Sequence, residues 1–450
     1  MSRSDFPLTQ REWYWRVFNL AWPVILSSLS VPLVGAVDTA VMGQLPEPRY
    51  MAAVAVGAVI FSSVFWAFGF LRMGTTGFVA QAAGRGDLTE VSLALWRAFV
   101  VALGLGLLVI LLQVPLARVA FWLMGAGEDV TLSAQEYFAV RIWSAPITFI
   151  NYAVLGCLIG LQRMRSALLL QLVLNVSNML LDFLFVLYLG MDTAGVALAS
   201  VLAEMLAAAT GLWLLREVIS AAWKLPAISP AVLWAKLADA EALQVLVRVN
   251  SDLFVRTLLL TAAFFFFTAQ SAQFGTVVLA ANAILINMLQ MIAYGLDGFA
   301  HAAEALVGGA YGARNKSAFQ QTVRSSTVMA VVMAALISLF YWLTGGQIIR
   351  LMTDIDRVVA AADVYLLWII AAPLLAIWSY QLDGVFIGVT HTRDMRNTVF
   401  LALVIYVGLV LLLVPVWGNH ALWGCLLLFL VLRGMFLGAL YPKLLAEISG

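Results

Sequence analysis

Along the chain, apolar stretches of about 20 residues or more follow one another, parted by short polar segments. A helix of that length crosses a hydrocarbon layer about 30 Å thick while satisfying every backbone N–H and C=O within itself. Twelve such spans are predicted. The first six read 17–43, 52–80, 93–115, 133–158, 166–189 and 193–215, and the second six 245–268, 277–305, 321–343, 360–388, 396–417 and 420–442. The first stretch is too long for the apolar part of a cleaved signal peptide and carries Asp38, so it is expected to remain as the first helix.

Composition agrees with a lipid environment. Of the 450 residues 63% are hydrophobic, only 11% are charged, and the mean hydropathy is +0.98, where a soluble domain carries charge on roughly 25% of its positions. The net charge is +1 and the basic residues are scattered, which excludes nucleic acid as a partner. Cys157 and Cys425 both lie in apolar stretches and read as small buried hydrophobes. An even number of spans puts both termini on one side. Seventeen Lys and Arg residues fall on that side, from Arg3 and Arg11 through Lys224 to Lys443, and four fall opposite, Arg49, Arg118, Arg350 and Arg357. The positive-inside bias therefore places both termini in the cytoplasm of a cell with an inner membrane.

The longest connection, 217–244, holds Pro226 and Pro230 and reads as a cytoplasmic linker between lobes 1–216 and 245–450. The lobes repeat each other. GCLIG from Gly156 meets GVFIG from Gly384, and VAQAAGRGD from Val79 meets VGGAYGARN from Val307, both at a shift of 228; Pro146 meets Pro373 at 227. Six spans per copy give both copies one orientation. The expected fold is thus an all-α polytopic membrane protein, with twelve transmembrane helices in two six-helix lobes related by a pseudo-two-fold axis along the membrane normal.

Polar residues within the spans are costly in lipid and mark a cavity or a partner. In span 5, Gln171, Asn175, Asn178 and Asp182 step by four, three and four, which keeps them on one stripe of the helix. Asp38 in span 1, Asp182 in span 5 and Ser200 in span 6 all fall about 8–11 Å inside the outer boundary at 1.5 Å per residue. Two carboxylates with amide and hydroxyl oxygens at one depth suit a hard monovalent cation or a shared proton. Span 8 carries a second stripe, Asn287, Gln290, Tyr294, Asp297, His301 and Glu304. Asn250, Asp252 and Arg256 in span 7, Asp383 in span 10, Arg433 in span 12 and Asn151 in span 4 complete the set, as a structural network or as cavity lining. Within span 7, Asp252 is placed to neutralise Arg256 one turn away.

No lysine follows a phosphate-binding glycine loop, and His301, His391 and His420 form no metal or His–carboxylate motif. Neither an enzyme nor a resident cofactor or metal is expected. Ion gradients are the energy source that remains.

Five segments carry a family resemblance: AWPVILSSLSVPLVGAVDTAVMG from Ala21, FLRMGTTGFVAQAAG from Phe70, NSDLFVRTLLL from Asn250, AYGLDGFAHAAEALVGGAYGARN from Ala293 and LDGVFIGVTHTRDMRN from Leu382. Together they resemble the DinF branch of the multidrug and toxic compound extrusion (MATE) family. The resemblance implies export of amphipathic, often cationic small molecules by antiport with H+ or Na+; contact with membrane lipids and a monomer are expected. It implies a cation site at Asp38, Asn178, Asp182 and Ser200, with Na+ held at Asp38, Asn178 and Asp182 if sodium is the coupling ion, and a bending point at Pro23. A lipid or lipid-linked substrate is the alternative that the wider superfamily offers.

Overall fold

The computed structural model describes residues 9–45, 47–125, 127–221, 235–237 and 239–448. Half of the 217–244 linker, with Lys224, Pro226 and Pro230, and the N-terminal Arg3 lie outside the described residues. Among the described residues all regular structure is helical. Eleven helices or helix pairs are long and apolar enough to cross a membrane, the last of them, Thr392–Glu447, having non-helical backbone at Gly418. Gly418 has φ 57° and ψ −140°, a conformation that side chains disfavour, and it separates spans 11 and 12 where the polar break was expected. The chain is a twelve-span, multi-pass membrane protein.

In the first half the helices are α1 (Gln10–Met42), α2 (Pro48–Ala67), α3 (Phe70–Gly84), α4 (Leu88–Leu111), α5 (Gln113–Met124), α6 (Glu128–Arg141), α7 (Ala145–Gly160), α8 (Met164–Asp182), α9 (Thr193–Leu214) and α10 (Arg216–Ala221). The second half has α11 (Ala240–Ala272), α12 (Thr276–Gly312), α13 (Lys316–Met352), α14 (Asp356–Gly388) and α15 (Thr392–Glu447). Several ends extend beyond the apolar windows because helices continue past the hydrocarbon boundary until a cap stops them. Span 2 is α2 and α3 around Phe68–Gly69, and span 4 is α6 and α7 around a 3-10 turn at Ile142–Ser144, just before Pro146. Helix α5 was expected as connection; it ends at Gly125 in the left-handed conformation, and Trp122 and Leu123 stand exposed on it.

The helices pack into two units, Leu26–Ala83 with Asp87–Leu246, and Val247–Gly450 with Gly84–Gly86 and the chain through Ile25. Helix α1 runs unbroken past Pro23 and is divided between Ile25 and Leu26. Its earlier part packs in the second unit, where a Cβ on Gly298 of α12 would meet Ile25 Cγ1 at 2.4 Å.

The repeat recurs in atomic detail within each unit. A Cβ on Gly156 would stand 2.4 Å from the Arg72 carbonyl oxygen, and one on Gly384 would stand 2.3 Å from that of Ala300. Gly160 and Gly388 meet the carbonyls of Thr76 and Glu304 in the same way, at 2.8 and 2.5 Å. Each pair is offset by 228 residues, as are their partners. The turns that follow also match: Gln162 and Thr390 take positive φ, 60° and 59°. Asp87 caps α4 by accepting from the Glu90 amide at 2.9 Å, and Asn315 caps α13 by accepting from the Ala318 amide at 3.0 Å.

Candidate functional site

Helix α8 inverts the pattern of a soluble helix: Asn175, Asn178 and Asp182 are buried, while Leu172 before them and Val176 and Leu180 between them are exposed. Apolar residues can face lipid, so the polar stripe turns toward other helices. Asp182 is fully buried at the end of the α-helical segment, and the next residues, Phe183–Tyr188, form a wider π-helical turn of the kind often found at functional sites.

Asp38 of α1 comes within hydrogen-bonding reach of Asp182. Asn178 Nδ2 donates to Ser200 Oγ of α9 at 3.3 Å, and Asn175 Nδ2 donates to Ser30 Oγ of α1 at 2.5 Å. The structure therefore brings Asp38, Asn178, Asp182 and Ser200 together in the first unit. Tyr137 of α6 is buried and also reaches Ser200. Both oxygens of Asp182 and Oδ1 of Asp38 are buried and receive no hydrogen bond.

Ionised carboxylates are acceptors only, so two of them cannot hydrogen-bond each other without a proton. Two adjacent negative charges away from water require a shared proton or a cation between them. Asn178, one turn before Asp182 on α8, and its partner Ser200 carry neutral oxygens, and carboxylates with amide and hydroxyl oxygens are groups suited to a proton or a hard monovalent ion. Among the described residues no group of three or more His, Cys, Asp or Glu side chains is arranged to hold a metal. A cavity of about 320 Å³ reaches Asp38, lined by Gly35, Asp38, Thr39 and Met42 of α1 and by Met51, Ala52, Val54, Ala55 and Ala58 of α2. Asp38 is the one charged group on that lining.

The same unit holds an ion pair that sequence reasoning missed, Arg141 with Glu204 at 3.5 Å, which Asn151 joins through its Nδ2 at 2.7 Å from Glu204 Oε2. Glu204 is the one charged residue in α9, a signal that was available in the sequence.

In the second unit the charges pair across helices. Arg256 of α11 and Arg433 of α15 both donate to Oδ2 of Asp383 on α14, Arg433 at 2.5 Å. All three are buried. Asp252 accepts instead from Arg396 at 2.5 Å and from Thr392 at 3.4 Å. The expected intrahelical Asp252–Arg256 pair is thus corrected: α14 and α15 present closer partners than the next turn of α11 does. Along α12 the stripe begins exposed at Asn287 and Gln290, is half-buried at Tyr294, Asp297 and His301, and ends buried at Glu304. Asn250 is buried, with an Oδ1 that receives no hydrogen bond.

Comparison with known proteins gives a consistent picture. The MatE family model matches residues 23–184 and 253–414, one segment in each half. DNA damage-inducible protein F of Escherichia coli K12 is 40% identical over 427 residues, covering 95% of this chain and 92% of that protein. Protein DETOXIFICATION 44, chloroplastic, of Arabidopsis thaliana is 23% identical, covering 93% and 80%. A multidrug resistance MATE family transporter of the MOP superfamily, solved in an outward-facing conformation, superposes with a TM-score of 0.84 over 96% of both chains at 20% identity. A variant of the Vibrio cholerae MATE transporter VcmN gives 0.85 over 97% and 98% at 19% identity. At those identities the solved structures establish the fold.

Proposed function

Since the chain belongs to the MatE family, we propose that it is an efflux transporter that exports amphipathic, often cationic small molecules by antiport with H+ or Na+, with Asp38 and Asp182 as the coupling pair. One observation carries this reading: two carboxylates stand together with three buried oxygens that receive no hydrogen bond. Such a pair has a standing demand for positive charge, which a proton, a sodium ion or the cationic head of a substrate can meet.

Competition for that charge gives the exchange its logic. With the site open outward, a proton or Na+ from outside neutralises the pair and releases a substrate cation held there. With the site open inward, the ion leaves and the pair attracts the next substrate. Asn178 and Ser200 orient the pair without adding charge. The cavity beside Asp38 offers room for apolar substrate groups next to the carboxylate, and Pro23 is the point where α1 bends between the two states, because a proline leaves one backbone carbonyl without its helical donor. The excess of basic residues on one side of the membrane supports a bacterial inner-membrane chain with both termini in the cytoplasm.

Reconstitution into vesicles with separately imposed proton and sodium gradients tests the reading. Outward transport of a lipophilic cation such as ethidium should follow one of the two gradients, and Asp38→Asn and Asp182→Asn should each abolish the dependence. For proton coupling, ethidium affinity of the purified protein should fall from about pH 8 to 6, since protonation removes the charge that holds the cation. Wild-type coupled transport in either variant would overturn the assignment.

A further inference from the structure

His391 stands just before α15, and its side chain is 22% exposed, within reach of water. Its two ring nitrogens face two carboxylates. Nδ1 is 3.3 Å from Oδ2 of Asp394 in the first turn of α15, and Nε2 is 3.0 Å from Oε2 of Glu447, the last residue of that helix. Gly418 divides α15 into spans 11 and 12, so the imidazole joins the start of one span to the end of the next. Because the partners come from opposite ends of α15, no local motif showed them. An ionised carboxylate only accepts and a neutral imidazole has one N–H, so both bonds form only when the ring carries two protons. With a single proton, whichever nitrogen keeps it, the other turns a lone pair on a carboxylate.

The neighbouring charges come from several helices. Lys443 Nζ lies 3.9 Å from Asp394 Oδ2, and the Tyr311 hydroxyl of α12 donates to Glu447 Oε2 at 3.3 Å, with Arg314 three residues beyond Tyr311. Arg393 adjoins Asp394, and Arg396 is paired with Asp252 of α11. Helix α13 begins at Lys316 and stacks Phe319 on Tyr441 of α15, while α14 carries no charged residue from Gly384 to Gly388. Of these side-chain types only histidine ordinarily changes its charge around neutral pH.

The repeat supplies an independent comparison. At the shift of 228 His391 corresponds to Arg163, which stands just before α8 and donates through Nη1 to the carbonyl of Leu214, the last residue of α9, at 3.4 Å. Leu214 corresponds to Pro442, beside Lys443. Each unit thus uses a side chain at the start of its fifth span to hold the end of its sixth. In the first unit that side chain is always charged, and in the second its charge depends on a proton.

We propose that His391 is a pH-sensitive tie between the start of span 11 and the end of span 12, made by the protonated ring and weakened as pH rises on the side of the C-terminus. The sign follows from the proton count: bonds that need the second proton are present at low pH and are lost as the ring gives it up. Resting on the efflux reading above, the tie restrains this hairpin when the cytoplasm is acid and frees it when the cytoplasm is alkaline.

Amide hydrogen exchange of the lipid-embedded full chain, corrected for the intrinsic pH dependence of exchange, tests the tie. Protection of the last two turns of α15 should fall about tenfold from about pH 6 to 8 in the wild type. His391→Arg should keep it high at both pH values, and His391→Gln should leave it low at both. A wild-type protection that does not change with pH, or a wild-type pH dependence persisting in either folded variant, would overturn the tie. Where His391→Arg does not fold, the His391→Gln profile decides alone. Ethidium efflux from vesicles tests the consequence, with the imposed gradient held constant while both pH values are raised together. His391→Arg should match the wild type near pH 6 and fall below it near pH 8. Equal rates throughout would overturn the regulatory role and leave the tie standing, whereas a wild type without gradient-driven efflux would overturn the efflux reading and the regulatory role and leave the exchange result untouched.

Discussion

In the first unit Asp38 and Asp182 stand close together with three buried oxygens that receive no hydrogen bond, whereas in the second unit Asp383 receives a guanidinium from each of Arg256 and Arg433. The two units share a helix crossing down to individual glycines, yet none of these charges has a counterpart at the repeat shift of 228. Asp182 corresponds to Val410, Asp38 to Phe266, Asp383 to Leu155, Arg256 to Ser28 and Arg433 to Met205. Duplication thus supplied a common frame, and each unit carries its own chemistry on it. One set of buried charges is left with oxygens that receive no hydrogen bond. The other is closed on itself and behaves as structure.

The largest effect expected from that contrast is on stability. Asp383→Ala leaves two buried guanidiniums without their counter-charge, and thermal unfolding in detergent should show a loss of about 3–5 kcal/mol. Next, because Arg256 and Arg433 share one oxygen of Asp383, a double-mutant cycle of Arg256→Ala and Arg433→Ala should be non-additive by about 0.5–3 kcal/mol. Additive losses would break the idea of a single closed network. The shared frame predicts equality instead: Gly156→Ala and Gly384→Ala push a methyl against matched carbonyls and should each cost about 1–3 kcal/mol. A large penalty in one unit only would show that the frames differ. The smallest effect is at Thr390, a β-branched residue at φ 59°, where Thr390→Gly should stabilise by about 1 kcal/mol.

Much of this was legible in the residues. Span number followed from length and hydropathy, even at Gly418, where the helices meet without a polar loop. The meeting of Asp38 with Asp182 was legible because α8 carries its polar residues on one stripe and because depth can be counted along a helix. The ion pairs of the second unit were not, since Arg256 and Asp383 lie 127 residues apart and a local rule prefers the neighbour one turn away. Helix α5 was missed because its apolar side chains lie in a segment too short to read as a span. Arg141 sits where α6 gives way to a 3-10 turn, so its direction could not be read from helical periodicity.

The most direct test sets Asp182→Asn beside Asp383→Asn, with unfolding temperature and gradient-driven ethidium efflux measured on each. Both changes remove one negative charge and keep the side-chain shape. Asp182→Asn should keep or raise the unfolding temperature while efflux falls to background, because the charge it removes has no protein donor; Asp383→Asn should lower the unfolding temperature sharply. Coupled efflux surviving in Asp182→Asn, or an unfolding temperature unmoved in Asp383→Asn, would contradict the account.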